Sequence, residues 1–294
     1  MDLTIEEMSM NAWPSIKTIV YDGWVIRFAD GYANRANSII PLYPSKIKLE
    51  EKIKHCDELF ARHNLPAAYK LTSLGGAGPS GAGPSVPGPS GPGPSVPGAG
   101  EHRPGEQKAG EKAAAAEHRL LEEYLAKLNY RKINETSVQV LDLAAREQAD
   151  LGQTARGNSG IVVRDHFSEE WIKSVIEFNR IEDIYVPAFK RIIGNIGVEK
   201  VVLYKEAEGK IVSCGYGTIE RGHVGIFDIV VREEARRKGY GREIVEAILA
   251  EGAKRGAEKS YLQVMLSNPA ALSLYEKMGY REVYRYWYRK KMEV

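Results

Sequence analysis

Two features near the end of the chain have residue types and spacing suited to chemistry, a lone carboxylate and a basic glycine turn. Ile226, Phe227, Ile229, Val230 and Val231 form a β-branched, nearly all-apolar run that reads as a buried strand, interrupted only by Asp228. A desolvated carboxylate at such a position has a raised pKa, which suits a base acting near neutrality. A buried structural acid, or a residue on the solvated face, would look the same in sequence. The charged connection Arg232 to Lys238 follows and ends in Gly239-Tyr240-Gly241. Beyond it Ile244, Val245, Ile248 and Leu249 mark one face of a helix. A basic glycine turn between strand and helix leaves backbone N–H groups free at a helix N-terminus, where the macrodipole favours an anion. An ordinary strand-to-helix turn is the alternative, with Arg232, Arg236, Arg237 and Lys238 merely solvated.

The elements that must position these residues are bounded by composition. The chain has 294 residues, room for one large domain or two modest ones, and a net charge of +2. That charge predicts no nucleic-acid partner. Cys56 and Cys214 are the only cysteines and have no metal-ligand spacing to each other or to a histidine, so a reduced cytoplasmic protein without disulfides or a metal is expected. The opening MDLTIEEMSM is acidic and lacks the apolar segment of a signal peptide, and no run of eighteen apolar residues exists to span a membrane.

In chain order, residues 13–43 alternate as strands do, notably Trp24 to Phe28 and Ala36 to Leu42 around an Asp30-Gly31 turn. Leu49 to His63 has helical period, and Ala67 to Thr72 reads as a strand. From Gly75 to Gly100 about two-thirds of the residues are Gly or Pro in GPS and VPG near-repeats, and a polar Ala/Lys stretch follows. Such a segment cannot offset its ordering entropy, so 74–117 reads as a flexible insertion. A helix from His118 to Leu128 and a strand from Thr136 to Leu141 come next, then a polar connector over 144–159. Ser168 is placed to cap a helix running to about Arg180, and a shorter helix follows Pro187. Strands at Val201 to Tyr204, Ile211 to Tyr216 and Gly225 to Val231 precede the Gly241 helix. A strand at Ser260 to Val264, a helix at Ala270 to Met278 and a long strand from Arg281 to Lys291 complete the chain. The class is α+β, a mixed, mostly antiparallel sheet flanked by helices.

The chain also echoes itself. Lys127-Leu-Asn-Tyr-Arg131 matches Lys277-Met-Gly-Tyr-Arg281, each between an amphipathic helix and an alternating strand. The Tyr69 strand then corresponds to the Tyr261 strand, and the Leu49 helix to the Gly241 helix. Residues 1–143 are therefore expected to be a degenerate copy of 160–294. The copies differ where chemistry would lie. Tyr43-Pro-Ser-Lys-Ile-Lys48 stands in place of the glycine turn, so no cofactor is expected in the first half.

Arg236-x-x-Gly239-x-Gly241 resembles the acyl-CoA pyrophosphate loop of the GNAT N-acetyltransferases, R/Q-x-x-G-x-G/A. Downstream, Asn268-x-x-Ala271-x-x-Leu274-Tyr275-x-Lys277-x-Gly279-Tyr280 is similar to that family's second signature, N-x-x-A-x-x-L-Y-x-K-x-G-F/Y, at every named position. The resemblance covers residues 168–294. The GWVIRF and RANS segments of the first half resemble one bacterial subgroup of tandem members. It implies the GNAT-like acyl-CoA N-acyltransferase fold in two tandem copies, with the second copy catalytic.

It further implies that backbone N–H groups from Arg237 to Arg242, through Lys238, Gly239, Tyr240 and Gly241, cradle the pyrophosphate of acetyl-CoA while Arg236 adds charge. Ile229, Val230 and Val231 would pair with the pantetheine arm like an added strand, which needs the strand edge to splay, often at a bulge. Asn268 would hydrogen-bond the same arm or cap the helix that Pro269 opens. Tyr275 would act as general acid on the departing thiolate, or pack as a core tyrosine. Asp228 would be the base, and the acyl group would pass directly to a primary amine, small or protein-borne. Tyr284, Tyr286 and Tyr288 share one face of the last strand and would line the acceptor pocket, the seam between halves or the core. A monomer or homodimer is expected. Two other readings stay open at this stage, a non-catalytic acyl-CoA sensor and another class of nucleotide-binding module. The turn matches neither G-x-G-x-x-G nor G-x-x-x-x-G-K-[ST].

Overall fold

Among the described residues of the computed structural model, eleven strands lie side by side in one mixed sheet, in the order β1-β2-β3-β4-β11-β5-β10-β9-β8-β7-β6. The structure describes residues 3–43, 45–73, 117–143 and 160–291, so the Gly/Pro insertion up to residue 116 and the 144–159 connector lie outside the described residues. The first half runs α1 (Thr4–Ala12), β1 (Lys17–Tyr21), β2 (Trp24–Phe28), β3 (Ser38–Pro41), α2 (Leu49–Arg62) and β4 (Ala68–Thr72), then α3 (residues 117–127) and β5 (Arg131–Asp142). The second half opens with β6 (Ile161–Arg164), α4 (Glu169–Asn179), α5 (Val186–Gly194), β7 (Glu199–Ala207) and β8 (Lys210–Glu220). It continues with β9 (His223–Val231), α6 (Tyr240–Lys254), β10 (Lys259–Met265), α7 (Pro269–Lys277) and β11 (Arg281–Lys290). The α+β class holds. Neither α1 nor β6 was legible in the sequence: α1 carries polar residues inward, and β6 is short and half-exposed.

The element order β3-α2-β4-α3-β5 repeats as β9-α6-β10-α7-β11, and in each set the first two strands are parallel. The last strands are exchanged. β5 lies antiparallel against β10 of the second half, β11 lies antiparallel against β4 of the first, and the two pair with each other at the centre. The halves are consecutive in the chain yet share one sheet.

Helices cover both faces. Buried side chains of α1, α4 and α5 pack with Tyr284, Tyr286 and Tyr288 on one face, while α6 and α7, and separately α2 and α3, cover the other. Strand alternation puts Trp287 with the α2–α3 cluster, opposite those tyrosines. Ser168 accepts the Trp171 N–H at 3.3 Å and caps α4, as its position predicts. The buried Trp171 indole donates to the carbonyls of Leu203 and Gly215, fixing α4 over β7 and β8. α6 approaches β9 so closely that a Cβ on Gly252 would lie 2.7 Å from Val224 Cβ.

α1 is held by a buried ion pair. Glu6, 1% exposed, accepts from Lys70 Nζ of β4 at 2.6 Å and from the Tyr284 hydroxyl of β11 at 2.6 Å, and Lys70 lies 4.1 Å over the Tyr286 ring. Removing one partner strands a buried charge, whereas removing both does not. Lys70→Met is therefore expected to lower unfolding stability by about 3–5 kcal/mol, and Glu6→Met in the same chain to restore part of it, measured by urea unfolding. Gly252→Ala, which forces α6 off β9, should cost about 1–3 kcal/mol in the same assay.

Candidate active site

The site begins where two strands part. β9 and β10 pair in parallel from Lys259↔His223 to Leu262↔Ile226 and no further, although they run on to Val231 and Met265. β10 stays straight because β5 pairs with it along its whole length, as far as Met265↔Thr136. β9 turns away at a bulge. On its other edge Cys214 faces Val230 and Tyr216 faces Phe227, so two residues, Asp228 and Ile229, oppose one. Asp228 has φ of +47°, the left-handed conformation that re-aims a bulged side chain. The splay expected from the resemblance is thus present, and beyond Ile226 no strand among the described residues covers the β10-facing edge of β9.

Two connected cavities open along this gap. The larger, about 670 Å³, is lined by Ile229, Val230, Val231 and Asn268 and by Arg236, Arg237, Gly239, Tyr240, Gly241 and Arg242. Lys238 is exposed and does not line it. Gly239 is the N-cap of α6 at φ +88°, without a side-chain cap, so the first amides of that helix face the cavity free of any capping oxygen. Gly241 packs beside Val231, where a Cβ would make ordinary contact with its Cγ2 at 3.4 Å. A loop that is basic, uncapped and thinned by glycine beside a bare strand edge fits an anionic head followed by an extended amide-bearing arm, the shape of coenzyme A. Asn268 Oδ1 accepts from Ala271 N at 3.1 Å and caps α7, which leaves its amide N–H group for a ligand.

The second cavity, about 390 Å³, is walled by Asp228, Tyr275, Tyr286, Tyr288, Arg35 and Gln263, among others. Tyr275 borders both cavities, as do Ile229, Val230 and Asn268. The two residues assigned to proton transfer, separated by 47 positions in sequence, therefore border one space. Burial raises the Asp228 carboxyl above its ordinary value, against the opposing pull of Arg35. Its Oδ1 lies 3.8 Å from Arg35 Nη2, and its Oδ2 is buried without a hydrogen-bond partner. Burial pushes the Tyr275 phenol up to about 12, so it is neutral and proton-bearing at physiological pH. Cys214 is fully buried, with its thiol pushed up to about 12, which makes it inert as a nucleophile. Among the described residues no cluster of His, Cys, Asp or Glu is placed to hold a metal ion.

Arg35, Asn34, Asn134 and Thr136 come from the first half of the chain. Sequence reasoning missed them, although Arg35 opens the RANS segment. At the corresponding start of α2 in the first half, the described backbone amides are already engaged. The amides of Ile47 and Lys46, just before α2, already donate to the Asp22 carboxylate at 2.8 and 2.9 Å. Those bonds, Ile47's the stronger, hold Asp22 below the usual carboxylate range. Lys52 fills the space behind, 4.1 Å over the Trp24 ring.

Comparison with known proteins agrees with this geometry. Residues 164–280 match the family model "Acetyltransferase (GNAT) family", and residues 3–74 match "Probable histone acetyltransferase Rv0428c C-terminal". The chain is 27% identical to the Bacillus subtilis protein YobR, described as an uncharacterized N-acetyltransferase, over 58% of this chain and 68% of that one. It is 34% identical to the Escherichia coli (strain K12) [Ribosomal protein bS18]-alanine N-acetyltransferase over 25% of this chain and 50% of that enzyme. A solved GCN5-related N-acetyltransferase from Kribbella flavida shares the fold across both halves, with a TM-score of 0.58, 10% identity, and coverage of 100% of this chain and 96% of that one. The glycine loop, the splayed strands and the second signature all lie within residues 164–280, the segment that matches the acetyltransferase (GNAT) family model.

Proposed function

We propose that the protein transfers the acetyl group of acetyl-CoA directly to a primary amine in the smaller cavity. The observation that carries this reading is the splay beyond Ile226, which sets an uncapped basic helix N-terminus beside a cavity walled by the buried Asp228 carboxylate and the neutral Tyr275. Acetyl-CoA would supply a thioester, whose acyl carbon accepts the amine once that amine has lost its proton. The amides around Gly239 to Arg242, with Arg236 and Arg237, hold the pyrophosphate. The free edge of Ile229 to Val231 and the Asn268 amide hold the pantetheine arm. Asp228 receives the proton of the amine. The backbone N–H near Val230 stabilises the oxyanion as the tetrahedral centre forms. Tyr275 gives its proton to the departing sulfur. No covalent enzyme intermediate is needed.

In this reading the protein works in the cytoplasm as a monomer or homodimer, without nucleic-acid or membrane partners. Its two described cysteines are free and buried, which suits a reducing compartment. No described helix is long and apolar enough to cross a membrane.

The loop is tested by thermal unfolding. Acetyl-CoA at about a hundred times its dissociation constant should stabilise the protein by roughly 2.7 kcal/mol, and NAD and ATP should not. Gly239→Glu, which places a side chain at φ +88° and a negative charge in the anion loop, should abolish the shift. No shift with the wild-type protein would sink the cofactor assignment.

The chemistry is tested on the first amine that turns over. As a base, Asp228 must be deprotonated to act. kcat/KM should therefore rise with pH through a value above the ordinary carboxylate range, and Asp228→Asn should flatten that limb while lowering the rate about 10²–10⁴-fold. Tyr275→Phe should lower kcat by a similar factor and keep the acetyl-CoA shift. Binding without turnover on any amine, indifferent to Tyr275→Phe, would mark a sensor instead.

A further inference from the structure

The acceptor cavity carries two opposite charges, and neither is bonded to the other. Arg35 and Asp228 stand 3.8 Å apart, beyond hydrogen-bond reach. Among the described residues nothing accepts a hydrogen bond from the Arg35 guanidinium, which is 31% exposed and lies 4.7 Å over the Trp13 ring. Asp228 Oδ2 and the Tyr288 hydroxyl, on the same cavity, also lack partners.

This arrangement is built rather than incidental. Arg35 sits in the loop between β2 and β3, and that loop is held from inside. The Arg27 guanidinium, 4% exposed, donates to the Arg35 carbonyl at 2.6 Å and to the carbonyl of Trp13. Asn37 accepts from Ala29 N at 2.7 Å and donates to the Tyr32 carbonyl at 2.7 Å. The backbone on both sides of Arg35 is thus fixed while its side chain is left free to bind. A guanidinium presented in this way pairs best with a planar anion, which it takes through two parallel hydrogen bonds.

We infer that the acceptor is a free aminocarboxylate of amino-acid size, its amine at Asp228 and its carboxylate at Arg35. The inference rests on reading this cavity as the acceptor site. An ammonium and a carboxylate separated by one or a few carbons can reach both charges, and each then gains the close partner that it lacks. A volume of about 390 Å³ suits a molecule of that size. The polar wall from Asn34, Asn134, Thr136 and Gln263 suits a hydrophilic one. A peptide N-terminus would bring a neutral amide to Arg35 and leave the guanidinium unanswered. Drawing Arg35 toward the substrate carboxylate also weakens its hold on Asp228, which makes the carboxylate a better base when the right acceptor is bound.

The test uses the full-length protein with acetyl-CoA and the twenty standard amino acids, each beside its amide and its decarboxylated amine. Thiol release gives kcat and KM, and thermal unfolding in the presence of CoA gives binding. At least one amino acid should exceed its amide and its decarboxylated amine in kcat/KM by about 10- to 100-fold, the worth of a charge-assisted hydrogen bond. Arg35→Gln should bring that ratio close to one, mainly by raising KM for the acid. Arg35→Lys should recover part of it, and an undiminished acetyl-CoA shift would show that both variants are folded. Equal turnover of acid, amide and amine, or an Arg35→Gln loss shared equally by all three, would overturn the inference while leaving acetyl transfer intact. Arg35-dependent stabilisation by amino acids without turnover would uphold the binding site and sink the catalytic reading. The absence of both binding and turnover for every amino acid would overturn the inference.

Discussion

Backbone amides and carbonyls must find partners, and along the far edge of β9 they lose theirs after Ile226. Everything distinctive about this protein follows from that gap. A strand edge without its neighbour is a binding surface for anything extended that carries amides. The bulge at Asp228 and Ile229 bends β9 away and rotates a carboxylate into the space. The glycine turn then sets the bare N-terminus of α6 at one end of the same edge. Strand, bulge and helix terminus form one device, because each supplies hydrogen-bonding groups that the others leave unmatched.

Two strands cannot part at one end unless each is held elsewhere. β9 is held by β8, and β10 by β5, a strand contributed by the other half of the chain. The exchange of last strands therefore does more than join two similar units. It anchors β10 as far as Met265, and it brings Asn134 and Thr136 to the cavity. On the face that carries Tyr284, Tyr286 and Tyr288, α1 is locked across β4 and β11 by Glu6, Lys70 and Tyr284. The first half lies beside the cleft, and at the start of its own α2 the Asp22 carboxylate takes the amides of Lys46 and Ile47 while Lys52 lies over Trp24. An internal carboxylate on those amides removes the reason for an external anion to bind there.

Much of this was legible in the residues. Apolar alternation placed nearly every strand, and Ser168 and Asn268 marked two helix starts through their capping chemistry. The interruption of an apolar run by Asp228, and the order of basic turn and helix, singled out a carboxylate and a loop that the structure places along the walls of the two cavities. α1 was hidden because its inward residues include Glu6 and Ser9, and a buried polar pair has no hydrophobic signature. Arg35 was hidden for a related reason. One arginine in a loop looks like any solvated cation until the loop is seen folded over the cleft.

The sequence by itself determined the local elements, the repeat of strand-helix-strand units and the two short signatures, because these depend on neighbours within a few turns of chain. Only the tertiary structure decided that the last strands change places and that Asp228 and Tyr275 border one cavity. It also decided that a cation from residue 35 faces a carboxylate at residue 228. The physical reason is that strand pairing and side-chain burial between distant segments depend on which edges remain unfilled once the sheet has closed. No local pattern carries that information.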